Sequence, residues 1–234
     1  MKPNGLISNT PIRYSPFPHN VLNMFIKSIE ALKRYSVLLG IFISVLLLFI
    51  ATRVYPGGSL FDKNSVGFDW SKNFISNLFA PKAINGADNP AQIWANAGMI
   101  FLSVSFALFF IKFSKKIPVR SAANIIQYVG AGGMFFTFLI VTPLHDSMVT
   151  LASTLFLLSL FYITVFILKS RLHLFKFLCI VCLLIFYYTL YLYGSGSYAF
   201  LPIMQKVTFG STVFLVLGLE YFTQKEDFDH LKPT

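Results

Sequence analysis

Few side chains in this sequence could move a proton or hold a charged ligand, and they gather at three places. Asp62, Asp69, Ser71, Asn73, Ser76 and Asn77 fall within residues 55–92. A second group is the run Thr142-Pro143-Leu144-His145-Asp146-Ser147. The third, Tyr193-Gly194-Ser195-Gly196-Ser197-Tyr198, leads into Gln205 and Lys206. An imidazole titrates near neutrality and suits general acid or base chemistry, and a carboxylate can orient its ring and stabilise its cation. His145 is therefore the first candidate for catalysis, with Asp69 or Asp62 as its orienting partner. It could equally contact a ligand or make a structural hydrogen bond. Asp146, next to it, would point elsewhere on a helix and could cap the following element.

Lys206 has three open readings. Its long side chain can snorkel to a membrane surface, pair with Asp69 or Asp146, or take the phosphate or carboxylate of a ligand. Asp62, Ser71, Asn73, Asn77, Asp146, Tyr198, Gln205 and Lys206 together form the candidate ligand-binding set. Metal chemistry fits poorly. His145 is the sole histidine in these three groups, whereas catalytic zinc usually takes a histidine-rich set. Cys179 and Cys182 lie in an apolar run with no second pair, so they read as packing residues. HExxH, a nucleotide-binding glycine loop and a GxSxG elbow are all missing. No cofactor is expected.

The elements that must position these groups are long and apolar. Residues 35–54, 93–113, 124–142, 148–168, 174–193 and 200–222 form six such runs. Each is near the ~20 residues that carry a helix across a ~30 Å hydrocarbon layer. With 56% hydrophobic and 12% charged residues, the 234-residue chain lies outside the ordinary soluble range. The expected fold is all-α: a six-helix polytopic membrane bundle, with an amphipathic amino-terminal helix and a partly helical external loop.

Charge sets the expected orientation. Of the 19 basic residues, 14 fall on the side of the amino terminus or in the second and fourth connections and the tail. Arg53, Lys63, Lys72, Lys82 and Lys206 make up the other side, nearly balanced by Asp62, Asp69, Asp88 and Asp146. By the positive-inside pattern both termini are cytosolic and the three polar groups share the external face of a cell membrane. The net charge of +10 then reflects attraction to anionic lipid, so nucleic acid is excluded as a partner. Residues 1–34 read as a cytosolic segment, 35–222 as the transmembrane domain and 223–234 as a cytosolic tail. The polar stretch 1–18 lacks the features of a cleavable signal.

Two connecting stretches carry helical spacing. Val21, Leu22, Phe25, Ile26, Ile29 and Leu32 recur opposite Lys27, Glu30, Lys33 and Arg34, which predicts an interfacial amphipathic helix or a lead-in continuous with the first span. After the turn at Tyr55-Pro56-Gly57-Gly58, the spacing of Trp70, Phe74, Ile75 and Leu78 predicts a short interfacial helix capped by Asp69. Gly130, Gly132 and Gly133 thin one face of the third span and invite a close neighbouring helix. Glu220, near the inner end of the last span, is expected to pair with Lys169 or Arg171.

The segment Gly67-Phe68-Asp69-Trp70-Ser71-Lys72-Asn73-Phe74-Ile75-Ser76-Asn77-Leu78, with His145-Asp146 opening the fourth span, resembles the Frag1/DRAM/Sfk1 and DUF998 group of small membrane proteins. That resemblance implies about six spans, a polar Asp/Ser/Asn segment after the first, and a role in lipid organisation or lipid-anchor remodelling. Where bacterial members read Ser-Asp-Leu-Gly, this chain has Ser76-Asn77-Leu78-Phe79, which removes a carboxylate at Asn77.

The leading expectation is an outward-facing polar cavity, lined by Asp69, Asn73, His145 and Lys206, that binds a lipid headgroup or small polar molecule. A membrane enzyme of lipid or envelope chemistry, using His145 and Asp69, is the alternative. A transporter is a third reading, and an accessory subunit that packs partner helices or a second copy against its glycine face is a fourth. Membrane lipids are the common partner.

Overall fold

A computed structural model describes residues 19–142 and 144–231. The polar stretch 1–18, Pro143 and residues 232–234 lie outside the described residues, and with them Lys2, Arg13 and Lys232 of the charge count. The protein is a polytopic all-α membrane protein. Six helices are long and apolar enough to cross a bilayer. They are α1, His19–Val54; α2, Ala91–Ser114; α3, Arg120–Leu139; α4, His145–Lys169; α5, His173–Gly194; and α6, Leu201–Phe222. Phe42, Phe101, Phe135, Phe161, Phe177 and Phe214 are exposed on them, as suits surfaces that face hydrocarbon.

The chain divides at Tyr35 into two units. In the first, every side chain from Val21 to Tyr35 is exposed, and the Arg34 guanidinium sits 5.6 Å from the centre of the Tyr35 ring. The backbone is not interrupted at this boundary. Of the two expected arrangements, the lead-in continuous with the first span matches the secondary structure, since α1 is one helix of 36 residues. No Gly or Pro interrupts residues 19–39, and Lys27, Glu30, Ala31, Leu32, Lys33 and Arg34 all favour helix.

The second unit, from Ser36 onward, holds the core. Val37, Ile41, Leu48 and Ala51 form the buried face of α1. Within this unit α2 packs on α3, α3 on α4, α4 on α5, α5 on α6, and α6 returns to α2, closing a ring. Phe106, Phe109, Phe110 and Phe113 line the buried side of α2, and Phe106 and Phe110 both meet Phe156 of α4 with ring centres 6.3 and 5.8 Å apart. Part of the glycine face of α3 is used here. A Cβ on Gly130 would lie 2.5 Å from the Phe110 ring, and one on Gly133 would lie 3.0 Å from Leu155. Gly132 has open space instead. Around Gly130 the helix widens into a π-helical turn, Ile125–Gly130.

One end of the bundle carries the long loop, residues 55–90. The expected interfacial α-helix is a single 3₁₀ turn, Ile75–Phe79, preceded by a turn at residues 69–73. The loop is closed on itself at Gly57, which has φ of 138° and pairs with Val66. A Cβ at Gly57 would come within 2.2 Å of the Ser65 carbonyl oxygen, so only glycine fits. Asn89 ties the loop to α2. Its amide donates to the carbonyls of Leu78 and Ala80, and its Oδ1 accepts from the backbone of Ala91 at the start of the helix.

At the other end, Glu220 of α6 pairs with Lys112 of α2 at 3.1 Å, not with Lys169 or Arg171, because α6 packs on α2. Lys116 donates to the carbonyls of Leu219, Glu220 and Thr223 at the end of α6. Burial pushes the Lys116 ammonium below the ordinary lysine range. A closing 3₁₀ segment, Lys225–Leu231, buries Phe228 against Phe113.

Candidate functional site

Under the long loop, the second unit contains a cleft of about 660 Å³. Its walls come from all six spans and from the 3₁₀ turn. Met99, Leu102 and Phe106 of α2, Phe156 of α4, Phe186 of α5 and Phe209 of α6 make most of it apolar. The hydroxyls along the wall are largely spent within the protein. Thr137 donates to the Gly133 carbonyl, and Thr189 donates to the Ile185 carbonyl and meets Thr208 at 2.7 Å. The titratable groups concentrate at the loop end, where His145, Asp146, Tyr193 and Tyr198 line the cleft together with Gln205.

His145 and Asp146 start α4 together. The His145 Nδ1 lies 3.0 Å from Asp146 Oδ1, so the neighbouring carboxylate faces the ring. The sequence expectation that Asp146 points elsewhere fails because both residues stand in the first turn, where exposed side chains can fold toward each other. The other ring nitrogen, Nε2, is buried and has no hydrogen-bond partner among the described residues. Tyr193 brings its hydroxyl to 3.5 Å from the same Asp146 oxygen.

The remaining candidates are built into the loop. Asp69 turns its carboxylate onto its own turn, accepting from the Ser71 backbone at 2.8 Å, the Ser71 hydroxyl at 2.6 Å and the Lys72 backbone at 3.3 Å. Lys72 adds its ammonium at 3.7 Å. Asp62 likewise accepts from the Asn64 backbone. Asn73 is fully buried, donating to the Gly58 carbonyl at 2.7 Å and accepting from the Asp69 backbone at 2.8 Å. Asn77 accepts from the Phe74 backbone at 2.8 Å.

Lys206 clamps this loop to α6. Its ammonium donates to the Asn73 carbonyl at 2.6 Å and the Pro202 carbonyl at 2.8 Å, and lies 5.6 Å from the centre of the Phe68 ring. One residue earlier, Gln205 accepts from the Ile75 backbone at 2.8 Å. The structure thus brings His145, Asp146, Tyr198 and Gln205 around the cleft, and places Asp62, Asp69, Ser71, Asn73, Asn77 and Lys206 in the scaffold above it. Asp and Asn so close in sequence to free backbone N–H groups are captured by them, which is why the loop carboxylates do not converge on His145.

The sequence did not single out the Phe106, Phe156, Phe186 and Phe209 wall of the cleft or the Thr189–Thr208 pair. Hydroxyls recurring inside apolar spans were the available signal. Among the described residues, no three His, Cys, Asp or Glu side chains converge as a metal site.

The chain matches no protein-family model, no curated protein and no solved structure.

The Asp69 turn has an expected pH signature. Hydrogen bonds from the Ser71 hydroxyl and backbone, then the charge of Lys72, hold its carboxyl below the usual carboxylate range. A depressed folded-state pKa stabilises the turn above the ordinary value of about 4, and that stabilisation is lost as pH falls through the lower one. Protection of the Ser71 and Lys72 amides, taken as the exchange rate relative to the intrinsic rate at each pH, is therefore expected to fall in acid in the wild type. In Asp69→Asn the acid-dependent change should vanish. A wild-type profile that is flat in acid contradicts the assignment.

Proposed function

We propose that this protein binds a membrane amphiphile, with an alkyl chain in the apolar cleft and the head group at the His145–Asp146 mouth. One observation carries the reading: the titratable side chains that line the cleft, His145, Asp146, Tyr193 and Tyr198, all stand at its loop end, and the hydroxyls of Thr137, Thr189 and Thr208 along the wall are bonded within the protein. From His145 to Phe156 along α4 is eleven residues, about 16 Å at 1.5 Å per residue. Leu201 to Thr212 along α6 gives the same span. A groove of that depth reaches about halfway through a ~30 Å hydrocarbon layer, which suits one acyl chain entering from one leaflet. The distribution of basic residues supports placing the mouth on the external side, with both termini cytosolic. The resemblance to the Frag1/DRAM/Sfk1 and DUF998 group, carried by the loop segment and His145-Asp146, points toward lipid as well.

Val149 lies one turn below His145 and lines the cleft. Val149→Trp is expected to fill it, so that lipid retained by the wild type through purification in mild non-ionic detergent is lost from the variant. Native mass spectrometry gives the comparison. Equal lipid retention in a folded Val149→Trp protein would overturn the proposal.

A second reading has its own support. His145 combines a carboxylate on Nδ1 with a buried Nε2 that has no partner among the described residues, an arrangement suited to proton transfer at a bound head group. On this reading His145→Gln retains lipid but no longer converts it over time. Conversion at the wild-type rate would sink it.

A further inference from the structure

We infer that the head group accepted at the mouth of the cleft is cationic, an ammonium on an alkyl chain, and not a phosphate or carboxylate. The inference rests on the amphiphile reading above and narrows its chemistry. Among the described residues, Asp146 is the one carboxylate lining the cleft, and neither Lys nor Arg lines it. His145 and the Tyr193 hydroxyl both approach Oδ1 of Asp146, which leaves Oδ2 for a ligand. Tyr193 and Tyr198 add two electron-rich rings to the same lining, and a carboxylate with aromatic rings in the same wall is a setting that suits ammonium groups.

The cation that sequence reasoning assigned to an anionic ligand is committed elsewhere. Lys206 follows Gln205 in the chain, but its ammonium is bonded to the carbonyls of Asn73 and Pro202. Two further lysines of the loop are held by acids, Lys72 by Asp69 and Lys82 by Asp88. A phosphate at the mouth would meet Asp146 with no guanidinium or ammonium lining the cleft to offset the repulsion.

The test uses the full chain in uncharged detergent at pH 8.5. Tetradecyltrimethylammonium, tetradecyl phosphate and tetradecyl maltoside are added in turn below denaturing amounts, and one-to-one adducts are counted by native mass spectrometry. The ammonium probe is expected to bind on the order of tenfold more tightly than the phosphate. Asp146→Asn should reduce that preference to near parity and leave the maltoside probe unaffected. The net charge of +10 biases non-specific binding toward the anion, so a cation preference cannot arise from overall charge. Phosphate binding as tightly as ammonium while the maltoside still binds would overturn the head-group inference and leave the cleft standing. A cation preference that persists in Asp146→Asn overturns it as well. If no probe forms an adduct that Val149→Trp loses, the amphiphile reading itself falls.

Discussion

Replacing Lys112 with methionine should cost about 3–5 kcal/mol of stability, the range for stranding one member of a buried ion pair. Glu220 keeps only 6% of its side chain exposed, and Lys112, 3.1 Å away, keeps 29%. One carboxylate oxygen of Glu220 is already buried without a partner among the described residues, so removing Lys112 would leave the charge short of donors on both oxygens. Lys116 lies one turn further along, bonded to the carbonyls of Leu219, Glu220 and Thr223, and its field tempers the loss toward the lower end. The double variant Lys112→Met with Glu220→Met removes both charges and should recover most of the loss. Unfolding in mixed micelles, read as a double-mutant cycle, gives the coupling directly. A single-variant loss below about 1 kcal/mol would show that water already solvates the pair.

The second large effect is expected at Asn73. Leucine there should destabilise the long loop by about 2–4 kcal/mol, because two backbone groups lose their short bonds to this side chain at once, with only the Tyr55 hydroxyl, at 3.5 Å, left on the Gly58 carbonyl. The Gly58 carbonyl loses its donor at 2.7 Å and the Asp69 N–H loses its acceptor at 2.8 Å. Asn73→Asp should be no better. It keeps the acceptor toward Asp69 but sets an oxygen against the Gly58 carbonyl. Since Lys206 holds the Asn73 carbonyl, the damage should spread to the α6 clamp and raise amide exchange through residues 55–90. A stability change under about 0.5 kcal/mol, typical of an ordinary surface site, would contradict the role given to this side chain.

Much of the architecture was legible in the residues alone. Lipid offers no hydrogen bonds to a bare backbone, so a spanning segment must be helical, apolar and of bilayer length. Those demands act locally and leave a local trace, which is why runs such as 93–113 and 174–193 lie within α2 and α5. Gly57 and Gly58 marked the stop after α1 for an equally local reason, since both take positive φ. The junction at Tyr35 was less legible. The same Lys, Glu and Leu residues suit an interfacial helix or a longer span, and continuity of the helix resolved only part of that choice.

The site was harder to read. Residue types marked the polar mouth at His145, Asp146, Tyr198 and Gln205, but they could not say where each polar group would spend its hydrogen bonds. Asp69 had the composition of a catalytic partner and is a turn residue, because the Ser71 and Lys72 N–H groups are only two and three positions away. Lys206 had the composition of an anion receptor and is a clamp, because folding brings a carbonyl 133 residues distant within its reach. The cleft itself left no trace in the sequence. Its walls use the same Phe, Leu and Met residues that elsewhere face lipid, each helix supplies only a few of them, and hydropathy registers how apolar a side chain is without registering what it faces. Composition determined that this chain lives in a bilayer; only the packing of six helices decided which apolar faces turn inward and leave a space between them.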